Sequence, residues 1–501
     1  MAPIAAAIAN TAGGPVRGTE AGGVIRFLGV PYAAAPVGAL RFALPAPHAP
    51  WSEPFTADRK AVAAPQLQPS DADMEKLLPG VDLKPLIGGA LDFDDDYLVA
   101  NIWTPSLEAA APVMVFIHGG AFTGGAAGSD VYEGAAFARQ GIVCVTINYR
   151  LGVEGFAPIE GAPTNLGLRD QLFALKWVRD NIAAFGGDPA NVTVFGESAG
   201  AMSIANLVTS PLAKGLFKRA IIESGHGNMV RPLAVAQRLT KRLAKILKIS
   251  PDREGFLSAS IGACLQAQKK VSAPGSGIDL RNSDGREPAF GLSRFLPVYG
   301  DDVLPEHPHA ALAKGAGADI EVLIGVNRDE MNLYFVHAGR KLGKFLANMI
   351  LKRVEPKGGE VLKAYGIDDK AKRASLVFTE ALTDLVFGLP ARRFAQLHQG
   401  RTHFYEFTWK SPVYESRLGA CHALELPFVF NTLAAASGPK GVAGPNPPQD
   451  IADRMNRLWA DFAKTGALPW PPYEATTQLV CNPETGLVAR GREMPAAHII
   501  P

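Results

Sequence analysis

The sequence is short of several features that would set it outside the ordinary globular class. Cysteine is scarce: Cys144, Cys264, Cys421 and Cys481 are the four in 501 residues, and no two form a CxxC pair. That spacing argues against a disulfide scaffold or a structural zinc site and favours a reducing compartment. Long hydrophobic runs are missing too, none approaching the roughly 20 residues that cross a bilayer. The opening "MAPIAAAIANTAGG" has no basic segment before an apolar stretch that breaks at Asn10, which is a poor match to a secretory leader. A soluble, cytoplasmic protein is expected. Nor is there an excess of charge of one sign: 50 Lys and Arg face 48 Asp and Glu, a formal net charge of +2 spread without blocks. Composition therefore shows no footprint for nucleic acid or an anionic membrane, and a small-molecule partner is favoured. No metal-ligand cluster stands out, so neither a metal nor a cofactor is expected.

What is abundant is apolar surface. With 47% hydrophobic and only 20% charged residues, a chain of this length can bury a large core. Short apolar runs at 113–120, 142–149, 191–198, 219–225, 320–327 and 402–409 lack polar alternation, as strands covered on both faces do. Helical patterns at 166–185 and 234–247 lie between them, giving the alternating rhythm of an α/β protein. The Pro/Gly/Ser-rich passages "SAPGSGIDLRNSDGREP" and "ASGPKGVAGPNPPQD" read as surface loops within one domain.

One stretch invites a chemical reading. In "VTVFGESAGAMS" (192–203) a β-rich run ends in Gly196, Glu197, Ser198, Ala199 and Gly200, followed by small and apolar residues of helical character. A serine between glycines at a strand-to-helix turn is held with its hydroxyl outward, the nucleophile-elbow arrangement. With 52 glycines, composition alone produces GxSxG roughly one time in three, so the strand-to-helix setting carries the weight. The competing reading is a tight turn that merely lets the helix pack closely.

A serine hydroxyl needs a base, and attack on a carbonyl needs donors where negative charge develops. "FIHGGAFTGG" (116–125) ends a strand in a glycine turn, so the N–H groups of Gly120 and Ala121, with that of Ala199, are expected to form an oxyanion hole, Gly119 giving the backbone its freedom. His118 is expected to brace this turn. Among ten histidines, His422 in "GACHALELPFVF" stands out as a base, ahead of an apolar segment that suits a shielded imidazole. For the acid, "LIGVNRDEMNLYF" offers both Asp329 and Glu330, and spacing alone does not choose between them.

These segments resemble the type B carboxylesterase family, which includes the cholinesterases and bacterial para-nitrobenzyl esterases. The likeness runs almost end to end: "FLGVPYAAAPVGALRF", "ANIWTP", "HGGAF", "NYRLGVEGF", "NLGLRDQLFALKWVRDNIAAFGGDPANVTVFGESAGA", "AIIESG" and "MNRLWADFAKTGALPWPPY" follow the family's motifs in order. The resemblance implies an α/β-hydrolase fold, with a central, mostly parallel twisted sheet flanked by helices. It implies ester hydrolysis with small-molecule esters and water as substrates.

By position, the resemblance makes Ser198 the nucleophile, Glu330 the acid, His422 the histidine and Asp329 structural. Gly120, Ala121 and Ala199 become the oxyanion donors, and Ser224 a support that hydrogen-bonds to the acid and histidine. Two family ion pairs are implied, Arg41 with Asp95 and Arg150 with Asp170. Met331 stands where the family usually has glycine. Ala64 and Tyr97 stand where secreted relatives carry a first disulfide, which leans toward a bacterial, intracellular protein. Segments 229–320 and 336–420 are expected to supply pocket walls or a lid. Phe122, Tyr334, Phe335 and Phe428 are the candidate lining of an apolar pocket, to which Phe156 and Phe430 could also contribute.

Overall fold

The fold follows from how the apolar runs pair. In the computed structural model, residues 6–87, 93–273, 275–337 and 342–500 are described. The first five residues of the opening stretch and Pro274 of the first expected loop lie outside them. One thirteen-stranded sheet dominates. In spatial order its strands are Ala6–Thr11, Gly14–Ala21, Val24–Pro31, Val99–Thr104, Val143–Ile147, Ala111–Ile117, Gly187–Glu197, Arg219–Glu223, Glu321–Asn327, Thr402–Phe407, Leu479–Cys481 and Val488–Arg490, with Phe55–Thr56 beside the second. The seven from Val143–Ile147 to Leu479–Cys481 are parallel, and the strands beyond them pair antiparallel except Phe55–Thr56, which runs parallel to the second. All six expected strands are present. The edge strands at 6–31 and 479–490 were not anticipated. They are short or only half-buried, so they lack the continuous apolar signal of the centre.

Successive residues of the central strands feed two separate cores. Val113, Val115, Ile117, Val194 and Ile222 face one side; Met114, Phe116, Phe195 and Ile221 face the other. The first side is covered by helices that include Leu166–Asn181 and Ala199–Thr209, the second by Gln449–Thr465 with Trp459 fully buried. The helix read at 166–185 is α-helical to Asn181 and closes with a 3₁₀ turn, Ile182–Phe185. The one read at 234–247 spans Leu233–Leu247.

A further helical stretch, Ala374–Leu397, is long and apolar enough to span a bilayer by length and composition. Charged Glu380, Asp384, Arg392 and Arg393 interrupt its run in the sequence. Most of it is buried in the core. It contains a π-helical segment, Asp384–Gly388, where buried Asp384 is gripped by Arg492 and by the Tyr365 hydroxyl at 2.5 Å.

Of the two implied ion pairs, Arg150–Asp170 forms, bidentate at 2.6 and 2.8 Å and almost fully buried. Arg41 pairs instead with Glu154, at 2.6 and 3.0 Å. Glu154 projects from the buried short helix Gly152–Phe156 into the guanidinium's own pocket, whereas Asp95 is exposed at the surface.

Candidate active site

Register brings the carboxyl ends of the parallel strands to one level: Gly196 lies beside Ile117 and Ile222, and Glu197 beside Glu223. Ligands of open α/β sheets bind at this edge. The central strand stops at Glu197, and Ser198 takes φ 54° and ψ −122°, a conformation that costs an L-residue of order 1–3 kcal/mol. The cost is met by fixed bonds on either side. The Ser198 N–H donates to Glu223 O at 2.9 Å, and its carbonyl accepts from Met202 N at 2.8 Å to begin the helix. Gly200 is obligatory here, since a Cβ on it would sit 1.9 Å from Ile117 O.

His422 Nε2 lies 2.8 Å from Ser198 Oγ, and its Nδ1 lies 2.6 Å from Glu330 Oε2. A carboxylate accepts, so Nδ1 carries the proton and Nε2 offers its lone pair to the serine hydroxyl. Glu330 is held in turn: its Oε1 accepts from Asn327 N at 2.8 Å, and its carbonyl from His422 N at 3.2 Å. Asn327 also donates through Nδ2 to Cys421 O at 2.8 Å, tying the two loops together. The choice between neighbouring acids is thereby made. Asp329 faces the backbone of Ala420, donating N–H to its carbonyl and accepting its N–H, both at 3.0 Å. Met331 has φ −77°, so the backbone demands no glycine there, and its side chain packs into the core.

The loop after Ile117 accounts for its own hydrogen bonds in a telling way. Its carbonyls are engaged: His118 O accepts from Tyr149 OH at 2.8 Å, Gly119 O from His118 Nδ1 at 2.8 Å, Gly120 O from Gly124 N at 3.0 Å, Ala121 O from Ser293 Oγ at 2.8 Å and Phe122 O from Gly152 N at 2.7 Å. Gln66 clamps both backbone groups of Gly125 at 2.9 Å. The N–H groups of Gly120, Ala121 and Ala199 have no partner among the described residues. All three residues border the cavity beside Ser198. Positive φ at Gly120 (107°), Ala121 (55°) and Phe122 (62°) bends the loop over the elbow. His118 stacks on Tyr149 with centroids 4.6 Å apart, and burial pushes its pKa down to about 4. It is a neutral brace, as its sequence context indicated.

Sequence reasoning missed three carboxylic acids beneath the histidine. Glu197 Oε1 is 3.1 Å from His422 Nε2; Glu223 accepts from Trp459 Nε1 at 2.9 Å; Glu425 accepts from Asn327 Nδ2. All three are buried. The available signal was an acid inside an otherwise apolar run, as in "VTVFGES", "AIIESG" and "CHALELPF". Burial drives Glu197 up to about 7 against the pull of His422, and Glu223 up to about 8. Burial and the neighbouring carboxylates hold Glu425 well above the usual carboxylate range. Buried unpaired charges are costly, and burial beside other carboxylates favours the protonated form of the outlying members. Burial alone would lower His422; the Glu197 and Glu330 carboxylates outweigh it and raise its pKa above that of ordinary imidazole. Ser224, expected to support the acid and histidine, makes no such bond. Its Oγ is buried with no hydrogen-bond partner among the described residues.

A cavity of about 170 Å³ opens over Ser198, bordered by Leu83, Leu86, Phe122, Met229, Leu292, Leu296, Leu333, Tyr334 and Phe387, with the carboxyl of Glu197 and the imidazole of His422 also in its lining. Phe122 and Tyr334 are where they were expected. Phe335 and Phe428 are not. Phe335 turns to the other side of the short helix Asn332–Phe335 and meets Phe378 edge to face, with centroids 5.5 Å apart. Phe428 packs against Phe407 and Trp409 in the second core; Phe156 and Phe430 are core as well. Phe387, from the π-helical segment, lies over His422 at 4.7 Å.

The carboxylesterase family model matches residues 5–489. The chain belongs to the carboxylesterase family. It is 37% identical over 491 residues to the para-nitrobenzyl esterase of Bacillus subtilis (strain 168), covering 94% of this chain and 93% of that one. It is 32% identical to the phenmedipham hydrolase of Pseudarthrobacter oxydans, covering 97% of each. A solved para-nitrobenzyl esterase structure superposes with a TM-score of 0.82 at 33% identity over 99% of both chains. As a carboxylesterase with the α/β-hydrolase fold, the protein is a carboxylic ester hydrolase.

Proposed function

We propose that this esterase works through an acyl-enzyme on Ser198. His422 takes the Ser198 proton as Oγ attacks the ester carbonyl, and Glu330 keeps the imidazole in the tautomer that allows it. The N–H groups of Gly120, Ala121 and Ala199 stabilise the tetrahedral oxyanion, and His422 then protonates the departing alcohol. Water, deprotonated by the same histidine, releases the carboxylic acid. The carboxylate of Glu197 adds stabilisation to the imidazolium formed in each half-reaction. The observation that carries this reading is the unbroken hydrogen-bonded line from Ser198 Oγ through His422 to Glu330.

The aliphatic walls favour compact, neutral esters, and an acidic group in the cavity disfavours anionic ones. Four unpaired, buried cysteines support a cytoplasmic setting, and the likeness to the Bacillus subtilis esterase supports a bacterial one. A fluorophosphonate probe tests the mechanism. One adduct on Ser198, absent from Ser198→Ala, is expected; labelling elsewhere, or none, contradicts it.

A further inference from the structure

The balanced charge of the whole chain conceals a local excess. Residues 344–373 carry eight Lys or Arg against four Asp or Glu, a net +4 in a chain whose total is +2. All eight basic residues, Lys344, Lys352, Arg353, Lys357, Lys363, Lys370, Lys372 and Arg373, are exposed. Of the acids, Glu355 is buried and paired with Arg286, and Asp368 is paired with Lys344.

The helix that opens this segment, Lys344–Val354, is apolar on two faces. Ala347 and Leu351 are fully buried and seat it on the protein. Phe345, Leu346, Met349 and Ile350 point the other way, 84%, 40%, 54% and 39% exposed, and make up four of the eleven large hydrophobic side chains exposed among the described residues. Positions i, i+1, i+4 and i+5 share one helical stripe. The neighbouring helix Ala374–Thr383, which packs against it, exposes Leu376 at 63%.

We propose that this basic-rimmed stripe docks the enzyme on an anionic lipid surface. An apolar helical face flanked by Lys and Arg is the composition that settles into a headgroup layer, with aromatic and aliphatic groups inserted and the cations on acidic lipid. Charge selects this occupant over a second copy of the chain. A two-fold contact through the stripe brings the same cationic rim onto itself, and like charges face like. None of the stripe residues borders the catalytic cavity.

The test is sedimentation of the full-length enzyme with vesicles of phosphatidylcholine alone or with added phosphatidylglycerol. Solution mass by light scattering is measured alongside. The enzyme should pellet with the anionic vesicles, and high salt should release it. Binding should fall about tenfold or more in Lys352→Glu/Arg353→Glu. It should be lost in Phe345→Ser/Met349→Ser, with turnover of a water-soluble ester and solution mass unchanged in both variants. Absence of pelleting with anionic vesicles, or equal pelleting with both compositions, overturns the proposal. So does a dimer that Phe345→Ser/Met349→Ser converts to monomer, which assigns the stripe to a second copy.

Discussion

The floor and the walls of the catalytic cavity are built by different means. Ser198, the oxyanion loop and Glu330 each follow the carboxyl end of a parallel strand, and their positions are set by backbone: left-handed φ at Ser198 and Ala121, and a glycine at 200 that admits no Cβ. Leu83, Leu86, Met229, Leu292 and Leu296 come from segments outside the large sheet and border the cavity as apolar residues. The floor should tolerate almost no substitution, because its geometry is the chemistry. The walls should tolerate many, because apolar lining of about the right volume suffices.

The sharpest way to break that comparison is at its centre. Ser198→Ala should lower kcat by about 10⁴-fold or more while leaving KM and thermal unfolding little changed; steady-state kinetics with calorimetry checks this, and retained turnover contradicts it. Next is Gly119→Ala, whose new Cβ would stand 2.8 Å from Glu197 Oε2 and 3.0 Å from Ser198 Cβ. Shifting the donor loop should cost about 3 kcal/mol of barrier, roughly a hundredfold in kcat, on every ester alike. Equal loss across a substrate panel is the signature of floor damage.

Wall changes should behave otherwise. Leu292→Ala and Leu296→Ala should change the ratio of kcat/KM between short and long acyl chains by about 1–3 kcal/mol, with kcat on the smallest ester nearly intact. A uniform loss would place these leucines with the floor. The smallest effect concerns Glu197. Its carboxylate favours the protonated imidazole, so Glu197→Gln should lower the pKa of His422 and move the acid limb of the pH–rate profile to lower pH. An unmoved limb would remove Glu197 from the electrostatics of the base.

The same contrast explains what was legible in the sequence. GESAG, HGGAF and the strands that deliver them are readable because strand ends and left-handed turns demand particular residues in order. The choice of Glu330 over Asp329 needed the family resemblance, since both sit in one turn and only its fold shows which carboxylate faces His422. The walls were legible only in part: Phe122 and Tyr334 border the cavity as expected, Phe335 and Phe428 face the far side of a helix or the core, and Leu83, Leu292 and Phe387 were not singled out because nothing local marks a side chain that meets a distant cavity. Glu197, Glu223 and Glu425 left a faint mark as acids in apolar runs. Arg41 found Glu154 because burial of a longer acid on a neighbouring helix outcompetes an exposed Asp95, a contest decided only in three dimensions.

The central claim is that Ser198 carries the acyl group between the two half-reactions. Mass spectrometry of enzyme quenched during turnover of a slowly deacylated ester tests it most directly. The acyl mass should be found on the peptide that contains Ser198 and vanish in Ser198→Ala; an acyl group on another residue, or burst release of alcohol without any adduct, would contradict it.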